Sequence, residues 1–373
     1  MRISVVNAAR NYGGQEAMAA LLTRRLHARG HDILFLCRPV YPALEEIPSG
    51  VEVAPVLGGM DWSPLSIWRS RRALRRHGAD AMLVTTNKDL RSAAVAARTL
   101  DLPVVIRRAM ARPLKDRVHY RYLYGELPVR IIANSHATRL VMLDSAPWLD
   151  EDRTTVVHNG IELRRFHGVD RADLGLPEDA VAVGFVGRFV AWKGVLTLAD
   201  AWKRVALSVP RAHLVLVGEG EEEPEMRRRL EGVERVHWIG FRQDVPEVMA
   251  ALDLLVYPSV MEGFGLAAVE AMASSLPVLV ARAGSLPEVV GDDGAGLFVP
   301  PHDASALAEG IATLVGDPER REVMGRRGRS RASAMFGLER MVDRYEEILR
   351  DSARAVNGSD SAPDRRWGAT SAH

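Results

Sequence analysis

The chain has 373 residues, enough for two domains that each bury a core of their own. With 49 Lys and Arg against 48 Asp and Glu, 47% hydrophobic residues and one cysteine, Cys37, the composition excludes a disordered chain, a collagen, a coiled coil and a disulfide-stapled mini-protein. The even charge total conceals a split, since residues 1–165 carry 25 basic against 16 acidic side chains and the remainder 24 against 32.

Short β-branched runs alternate with helical patterns from end to end, the mark of βαβ units and of an α/β fold with parallel sheets. In the first half the strands fall at Arg2 to Asn7, Asp32 to Cys37, Val51 to Val56, Ala81 to Thr85, Val104 to Arg107 and Arg130 to Asn134. Met1 to Asn7 reads directly as a strand, without the apolar core and cleavage site of a signal peptide, and no apolar run reaches the roughly 18 residues of a spanning helix. A cytoplasmic protein with at most peripheral membrane contact is expected. Gly14 to Arg29 has a helix pattern, closed by Gly30.

Further on, Arg69, Arg71, Arg72, Arg75 and Arg76 lie beside Trp62, Ile67 and Trp68, and Arg107, Arg108, Arg112, Lys115 and Arg117 form a second cluster. A basic amphipathic helix with tryptophans suits an anionic membrane surface, where each cation adds about 1 kcal/mol. The plainer alternative is a solvated arginine-rich face. Nucleic acid fits poorly, because the isoelectric point is only about 8.0 and no recognition motif accompanies the arginines.

The stretch Val157 to Pro177, holding Asn159 and Gly160, has little apolar periodicity and marks the hinge, dividing the chain into domains at 1–165 and 170–334. The second half then repeats the rhythm with Ala182 to Val186, Leu214 to Gly218, His237 to Gly240, Leu254 to Tyr257, Pro277 to Val280 and Gly296 to Val299. Two Rossmann-like domains in tandem follow. After Asp317 the pattern is helical and basic to Arg350, and residues 352–373 are expected to form a disordered polar tail.

Three segments carry chemistry. Tyr257 to Val278 reads as strand, glycine turn and helix, so the free backbone N–H groups near Gly263 and Gly265 and the helix dipole favour an anion. Glu262 precedes that turn. Glu270 lies among Leu, Ala, Val and Met, where a carboxylate costs several kcal/mol unless hydrogen-bonded; it is either an acceptor for ligand hydroxyls or a solvent-facing acid. In the second segment Arg188 and Lys193 follow a strand that ends at Gly187, on a loop where parallel sheets bind ligands, and could meet one diphosphate. The third places Gly13 and Gly14 between the first strand and helix, without the full dinucleotide-binding fingerprint.

In combination these segments resemble the retaining glycosyltransferases of family 4, with the GT-B fold of two facing Rossmann-like domains around a cleft. Gly187-Arg188, Lys193-Gly194, Gly218-Glu219-Gly220, Pro258-Ser259, Glu262 to Leu266, Glu270 to Ala273 and Pro277-Val278 stand in the family's order, and Asn134-Ser135 resembles the end of its last N-terminal strand. The resemblance implies that Arg188 and Lys193 hold the donor diphosphate, that Gly263, Phe264, Gly265 and Leu266 bind its phosphates and sugar through backbone N–H groups, that Glu270 binds the ribose, and that Glu262 faces the sugar. Gly13, Gly14 and Asn159 would join the donor site on closure, and a helix at 335–350 would cross back to the first domain.

A departure is the absence of the His that family members often place after the fourth strand; Asn87 or Lys88 would replace it, with His119 and His158 as the nearest other histidines. Asp-x-Asp pairs for a bridging cation are also missing, so neither a metal nor a bound cofactor is expected. The reading is a retaining, metal-independent transferase that moves a sugar from a nucleotide-diphosphate sugar, expected to be a UDP-sugar, to a cell-envelope glycan or lipid-linked acceptor of the lipopolysaccharide type. A nucleotide-sugar epimerase and a non-catalytic membrane-surface protein are the rival readings.

Overall fold

A computed structural model describes residues 1–11, 13–58, 62–86, 91–163 and 169–357. Its first sheet has strands β1 (Arg2–Val6), β2 (Asp32–Leu36), β3 (Glu52–Ala54), β4 (Ala81–Val84), β5 (Val104–Arg108), β6 (Arg130–Ala133) and β7 (Thr154–Val156), all parallel, in the order β3-β2-β1-β4-β5-β6-β7. Helices α1 (Gly14–Ala28), α2 (Pro64–His77), α3 (Ala93–Arg98), α4 (Val118–Tyr120) and α5 (His136–Ser145) connect them. The strand that ends at Asn134 is therefore not the last of this domain, because β7 adds to the edge of β6.

The second sheet has strands β8 (Val181–Val186), β9 (Ala212–Val217), β10 (Val236–Gly240), β11 (Leu254–Tyr257), β12 (Val278–Ala281) and β13 (Gly296–Val299), parallel in the order β10-β9-β8-β11-β12-β13. Helices α6 (Val195–Ser208), α7 (Glu223–Arg229), α8 (Val245–Ala250), α9 (Leu266–Ala273), α10 (Leu286–Val290) and α11 (Ala304–Gly316) belong to it, followed by α12 (Pro318–Met335) and α13 (Leu338–Asn357). Central strands such as β8 and β11 are buried along their whole length, which is why their sequences are continuous apolar runs instead of alternating ones.

In each sheet the strand order reverses between two neighbours, β1 and β4 in the first and β8 and β11 in the second. Loops diverge at such switch points and leave a crevice at the carboxyl ends of the strands. The two crevices face each other: a Cβ added at Gly14, at the start of α1, would lie 3.4 Å from Leu266 at the start of α9.

Helix α13 packs on the first domain. Leu338, Met341, Val342, Tyr345, Ile348 and Leu349 recur at helical spacing and fill one face of the first sheet together with Ile3, Val5, Phe35 and Val105. Arg29 of α1 binds Asp343 at 2.7 Å and Glu346 at 3.0 Å from the same helix. The crossing helix thus starts at Leu338 and runs to Asn357, beyond the expected 335–350. Residues 352–357, expected in the tail, belong to it because its apolar stripe continues through buried Ser352 and Ala353; residues 358–373 lie outside the described residues.

At the hinge two chain crossings lie side by side. Ile161 N–H donates to Phe336 O at 2.9 Å and Leu338 N–H to Ile161 O at 3.1 Å. Asn159 is buried there, and its Oδ1 accepts from Arg107 Nη2 of β5 at 2.9 Å.

Candidate active site in the interdomain cleft

Helices α2, α5, α11 and α12 begin with a Ser or Asp whose side chain accepts a hydrogen bond from the first-turn backbone. The helices at the cleft begin differently. Those starting on Gly13 (α1), Gly194 (α6) and Gly265 (α9) have no side-chain cap, so their first N–H groups remain available to an anion. Gly194 is required sterically as well: its φ is +70°, and a Cβ there would sit 2.1 Å from the Pro258 carbonyl oxygen.

That close approach brings the Lys193 loop onto the loop after β11. Lys193 Nζ binds both Glu262 Oε1 and the Tyr257 hydroxyl, and lies 4.7 Å from the centre of the Tyr257 ring. Glu262 Oε1 also accepts from Tyr257 and Ser259, each at 2.8 Å. Glu262 is buried, and this network of donors satisfies its Oε1. Burial, with Glu262 beside it, holds the Tyr257 hydroxyl well above its ordinary range, so Tyr257 stays a neutral donor.

Glu270 on α9 is half-buried as a residue, but its carboxyl is enclosed enough that burial raises it from 4.5 to about 7. It forms no ion pair or side-chain hydrogen bond with any described residue. It also acts electrostatically on Tyr257, which places it beside the Lys193–Glu262 network. An enclosed carboxyl lacking protein donors is suited to ligand hydroxyls.

Arg188 is exposed at the mouth of the cleft, 5.9 Å from the Trp192 ring, and Arg112 of the first domain stacks on the same ring at 5.6 Å. The Trp192 carbonyl accepts from Val260 N–H at 2.9 Å and Ser259 Oγ at 3.1 Å, so one loop fixes Lys193, Trp192 and Arg188.

Two residues of the expected donor set have side chains held at the contact between the domains. The Phe264 side chain is buried against His158 at 5.8 Å and Phe336 at 5.3 Å, leaving only its backbone for a ligand. Asn159 has its Oδ1 occupied by Arg107 at the hinge. Asn87 and Lys88 lie outside the described residues.

The structure adds residues that sequence reasoning passed over. Glu16 on α1 is buried, and burial raises its carboxyl, opposed by its own backbone N–H and by Arg107 and Arg188; its place two residues after Gly13-Gly14 was the available signal. Tyr257 and Ser259 were in view as part of a loop without a role. Ser135 and Thr138 of α5 donate to the Gly263 carbonyl at 2.7 and 3.1 Å, and Glu288 binds the α5 N-terminus and His158, contacts for which no sequence signal existed.

Among the described residues His136, His158 and Glu288 bring ligand atoms within 4.8 Å of one another. The Glu288 carboxylate there already accepts from two backbone N–H groups and His158. A cation would also face the positive end of α5, so the cluster reads as a domain contact.

Two family models match in succession: "Glycosyltransferase Family 4" over residues 12–165 and "Glycosyl transferases group 1" over 168–331. The chain is 34% identical over 251 residues to a D-inositol 3-phosphate glycosyltransferase of Saccharomonospora viridis, covering 62% of this chain and 57% of that relative. It is 33% identical over 205 residues to the lipopolysaccharide core biosynthesis glycosyltransferase LpsE of Rhizobium meliloti, covering 54% and 58%. The chain thus matches less than two thirds of the length of these curated relatives. Among solved structures, Anabaena HepE in complex with UDP superimposes with a TM-score of 0.80 at 26% identity, covering 94% of this chain and 100% of the other. With one model on each domain and the same two-domain architecture, the chain belongs to the family 4, group 1 type of glycosyltransferases, built on the GT-B fold.

Proposed function

We propose that this protein transfers a sugar from a nucleotide-diphosphate sugar to a hydroxyl of a cell-envelope glycan or lipid-linked acceptor, with retention at the anomeric carbon and without a metal. The observation that carries the donor site is the half-buried Glu270 carboxyl, unpaired among the described residues, beside the Lys193–Tyr257–Glu262 network and next to the uncapped start of α9. Ribose hydroxyls supply the donors that Glu270 lacks. The diphosphate takes Lys193, Arg188 and the N–H groups of Gly263 to Leu266, while Gly13-Gly14 at the start of α1 close on it from the first domain. HepE, at 26% identity, binds UDP, which supports uridine as the base.

In the reaction the bond between the anomeric carbon and the diphosphate oxygen breaks, and the acceptor oxygen bonds to the same face of that carbon. The acceptor proton passes to the leaving phosphate oxygen. Arg188, Lys193 and the α9 N-terminus stabilise the growing negative charge, the service a divalent cation would otherwise supply. Glu262, held by Lys193, Tyr257 and Ser259, lies where the sugar ring would sit and stabilises positive charge at the anomeric carbon.

The acceptor reading rests on the first domain. The exposed Leu65 and Trp68 stand on α2 with Arg69, Arg71, Arg72, Arg75 and Arg76, with Arg72 stacked 5.8 Å from the Trp68 ring. Such a face suits an anionic bilayer surface. No helix of the described residues is long and apolar enough to cross a membrane. The lipopolysaccharide relative supports an envelope glycan as acceptor.

Thermal stabilisation across a panel of nucleotides and nucleotide sugars, with EDTA present, tests the donor and metal terms together. A shift with a UDP-sugar in EDTA is expected. No shift with any nucleotide, or one that returns only with a divalent metal, overturns the mechanism. NMR of the product's anomeric proton reads retention, and sugar conversion without acceptor would instead mark an epimerase.

A further inference from the structure

The loop that forms the donor site is gripped by the opposite domain. Ser135 caps α5 by accepting from Thr138 N–H at 2.9 Å, and its hydroxyl donates to the Gly263 carbonyl at 2.7 Å. Thr138 Oγ1 donates to the same carbonyl at 3.1 Å. The next two N–H groups of α5, from His136 and Ala137, donate to Glu288 Oε1 at 2.9 Å and Oε2 at 3.2 Å. Glu288 Oε1 also meets His158 Nε2 at 2.6 Å.

Three residues before Glu288, Ser285 returns the contact to the donor loop. Its N–H and hydroxyl reach the Glu262 carbonyl at 3.3 and 3.2 Å. The bonds therefore form a closed ring, from α5 to Glu288, through the chain to Ser285, across to Glu262 and Gly263, and back to Ser135 and Thr138. On one side of the ring the His158 ring packs between Phe264 at 5.8 Å and Phe336 at 5.5 Å, beside the hinge. On the other, a Cβ at Gly263 would lie 2.1 Å from the Ala109 carbonyl of the first domain. Ser135, Thr138 and Ala109 belong to the first domain and Gly263 and Glu288 to the second, so these contacts join the two walls of the cleft.

We infer that Glu288 is a positioning residue for transfer: by binding the α5 N-terminus and His158 it latches the first domain onto the loop of Glu262 to Leu266 and sets the closed cleft. Its carboxylate suits that role, because negative charge at a helix N-terminus and against a histidine is favourable in the latched state. Glu288 touches no part of the proposed donor site. The larger share of donor recognition, by Lys193, Arg188 and Glu270, lies in the second domain and survives its loss, whereas the closure of Gly13-Gly14 on the diphosphate and the alignment of acceptor and donor across the cleft do not. Misplacement by about 1 Å is enough to cost a hundredfold in rate.

The inference rests on the proposed function only for its kinetic readout. The test compares wild type with Glu288→Ala and Glu288→Gln by hydrogen exchange, UDP affinity and transfer rate. For Glu288→Ala, exchange at residues 136–138 and 260–266 should rise about tenfold or more while α2 and α11 stay protected. UDP affinity should stay within about threefold and kcat should fall at least about tenfold, with Glu288→Gln between the two. Unchanged exchange with kcat within about twofold overturns the inference. So does a loss of UDP affinity as large as the loss in kcat, or increased exchange throughout the chain, either of which marks a residue needed only for folding. If Glu288→Ala does not fold, His158→Asn cuts one arm of the latch and should raise exchange in the same two segments. Failure of wild type to bind any nucleotide sugar would overturn the proposed function, while the exchange comparison would still decide the latch.

Discussion

The two walls of the cleft are built on different terms. On the second domain, Lys193, Tyr257, Ser259 and Glu262 satisfy one another without a ligand, while Glu270 has no ion pair or side-chain hydrogen bond among the described residues. On the first, Glu16 is buried near Arg107 and Arg188 without a hydrogen bond to either, and Arg107 has Nε and Nη1 unbonded while its Nη2 reaches Asn159. The Tyr345 hydroxyl lies beside that guanidinium, outside hydrogen-bond geometry. A pre-organised wall suits a chemically constant donor diphosphate, and a wall with unspent polar groups suits an acceptor that completes it.

The sharpest way to break this contrast is to remove Lys193. Lys193→Ala should lower transfer by about a thousandfold and cost on the order of 3 kcal/mol of stability, because Glu262 is left buried with two neutral donors. Initial rates and thermal melts check both. Activity within tenfold of wild type would mean that the second wall is not the donor site.

Next in size is Gly263→Ala, whose methyl group collides with the Ala109 carbonyl and holds the walls apart. Transfer should fall about a hundredfold, with nucleotide binding by calorimetry almost unchanged. Loss of nucleotide binding instead would place the damage inside the second wall.

The triple change Arg72→Glu, Arg75→Glu, Arg76→Glu should weaken binding to anionic vesicles by roughly a hundredfold, at about 1 kcal/mol for each lost cation. UDP affinity should not move, since α2 lies outside the cleft network. Equal partition of variant and wild type would leave the arginine face as a solvated surface.

Glu270 gives a pH-dependent test. Its carboxyl sits at about 7 when folded against 4.5 as the ordinary value, so the folded state holds the proton between those values. The associated stability is complete below pH 4.5 and is lost as pH rises through 7. Glu270→Gln should therefore raise stability at pH 8 by on the order of 3 kcal/mol, seen as a higher melting temperature, and leave it unchanged near pH 4. Donor affinity of wild type should increase from pH 6 to 8 as the carboxylate forms, and the variant should lose that slope.

The smallest effect lies away from the cleft. His213 and His237 meet at 2.9 Å on β9 and β10, and burial pushes both rings below 6.5, His237 further because of His213. The unfolded chain takes up these protons first, so their stability is complete above pH 6.5 and lost as pH falls below it. His237→Gln should flatten that loss in melts taken from pH 8 to pH 5, without changing transfer at pH 8.

Much of the second wall was legible because its chemistry is carried by contiguous residues. Strand, glycine turn and helix from Tyr257 to Ala273 follow from hydrophobic period and backbone sterics, and Arg188 and Lys193 sit at the end of a strand where any parallel sheet exposes its loops. The first wall was less legible. Its Gly13-Gly14 signal was short, and the buried state of Glu16 depends on β5 and on the facing domain.

Local order thus determined the two parallel sheets, the connection between them and the grouping of Arg188, Lys193, Glu262 and Glu270 at the ends of strands, since each depends on spacing along a few dozen residues. Tertiary structure decided the rest. Only the folding of α13 against β1 and β5 turned residues expected in the tail into helix, and only the meeting of domains sent Phe264 into an aromatic cluster, Asn159 to Arg107 and Glu288 to the start of α5. These pairings join residues that lie 52 to 152 positions apart or more in the chain. No periodicity encodes which distant partner will satisfy a buried polar group; that is settled by which surfaces the two sheets bring together.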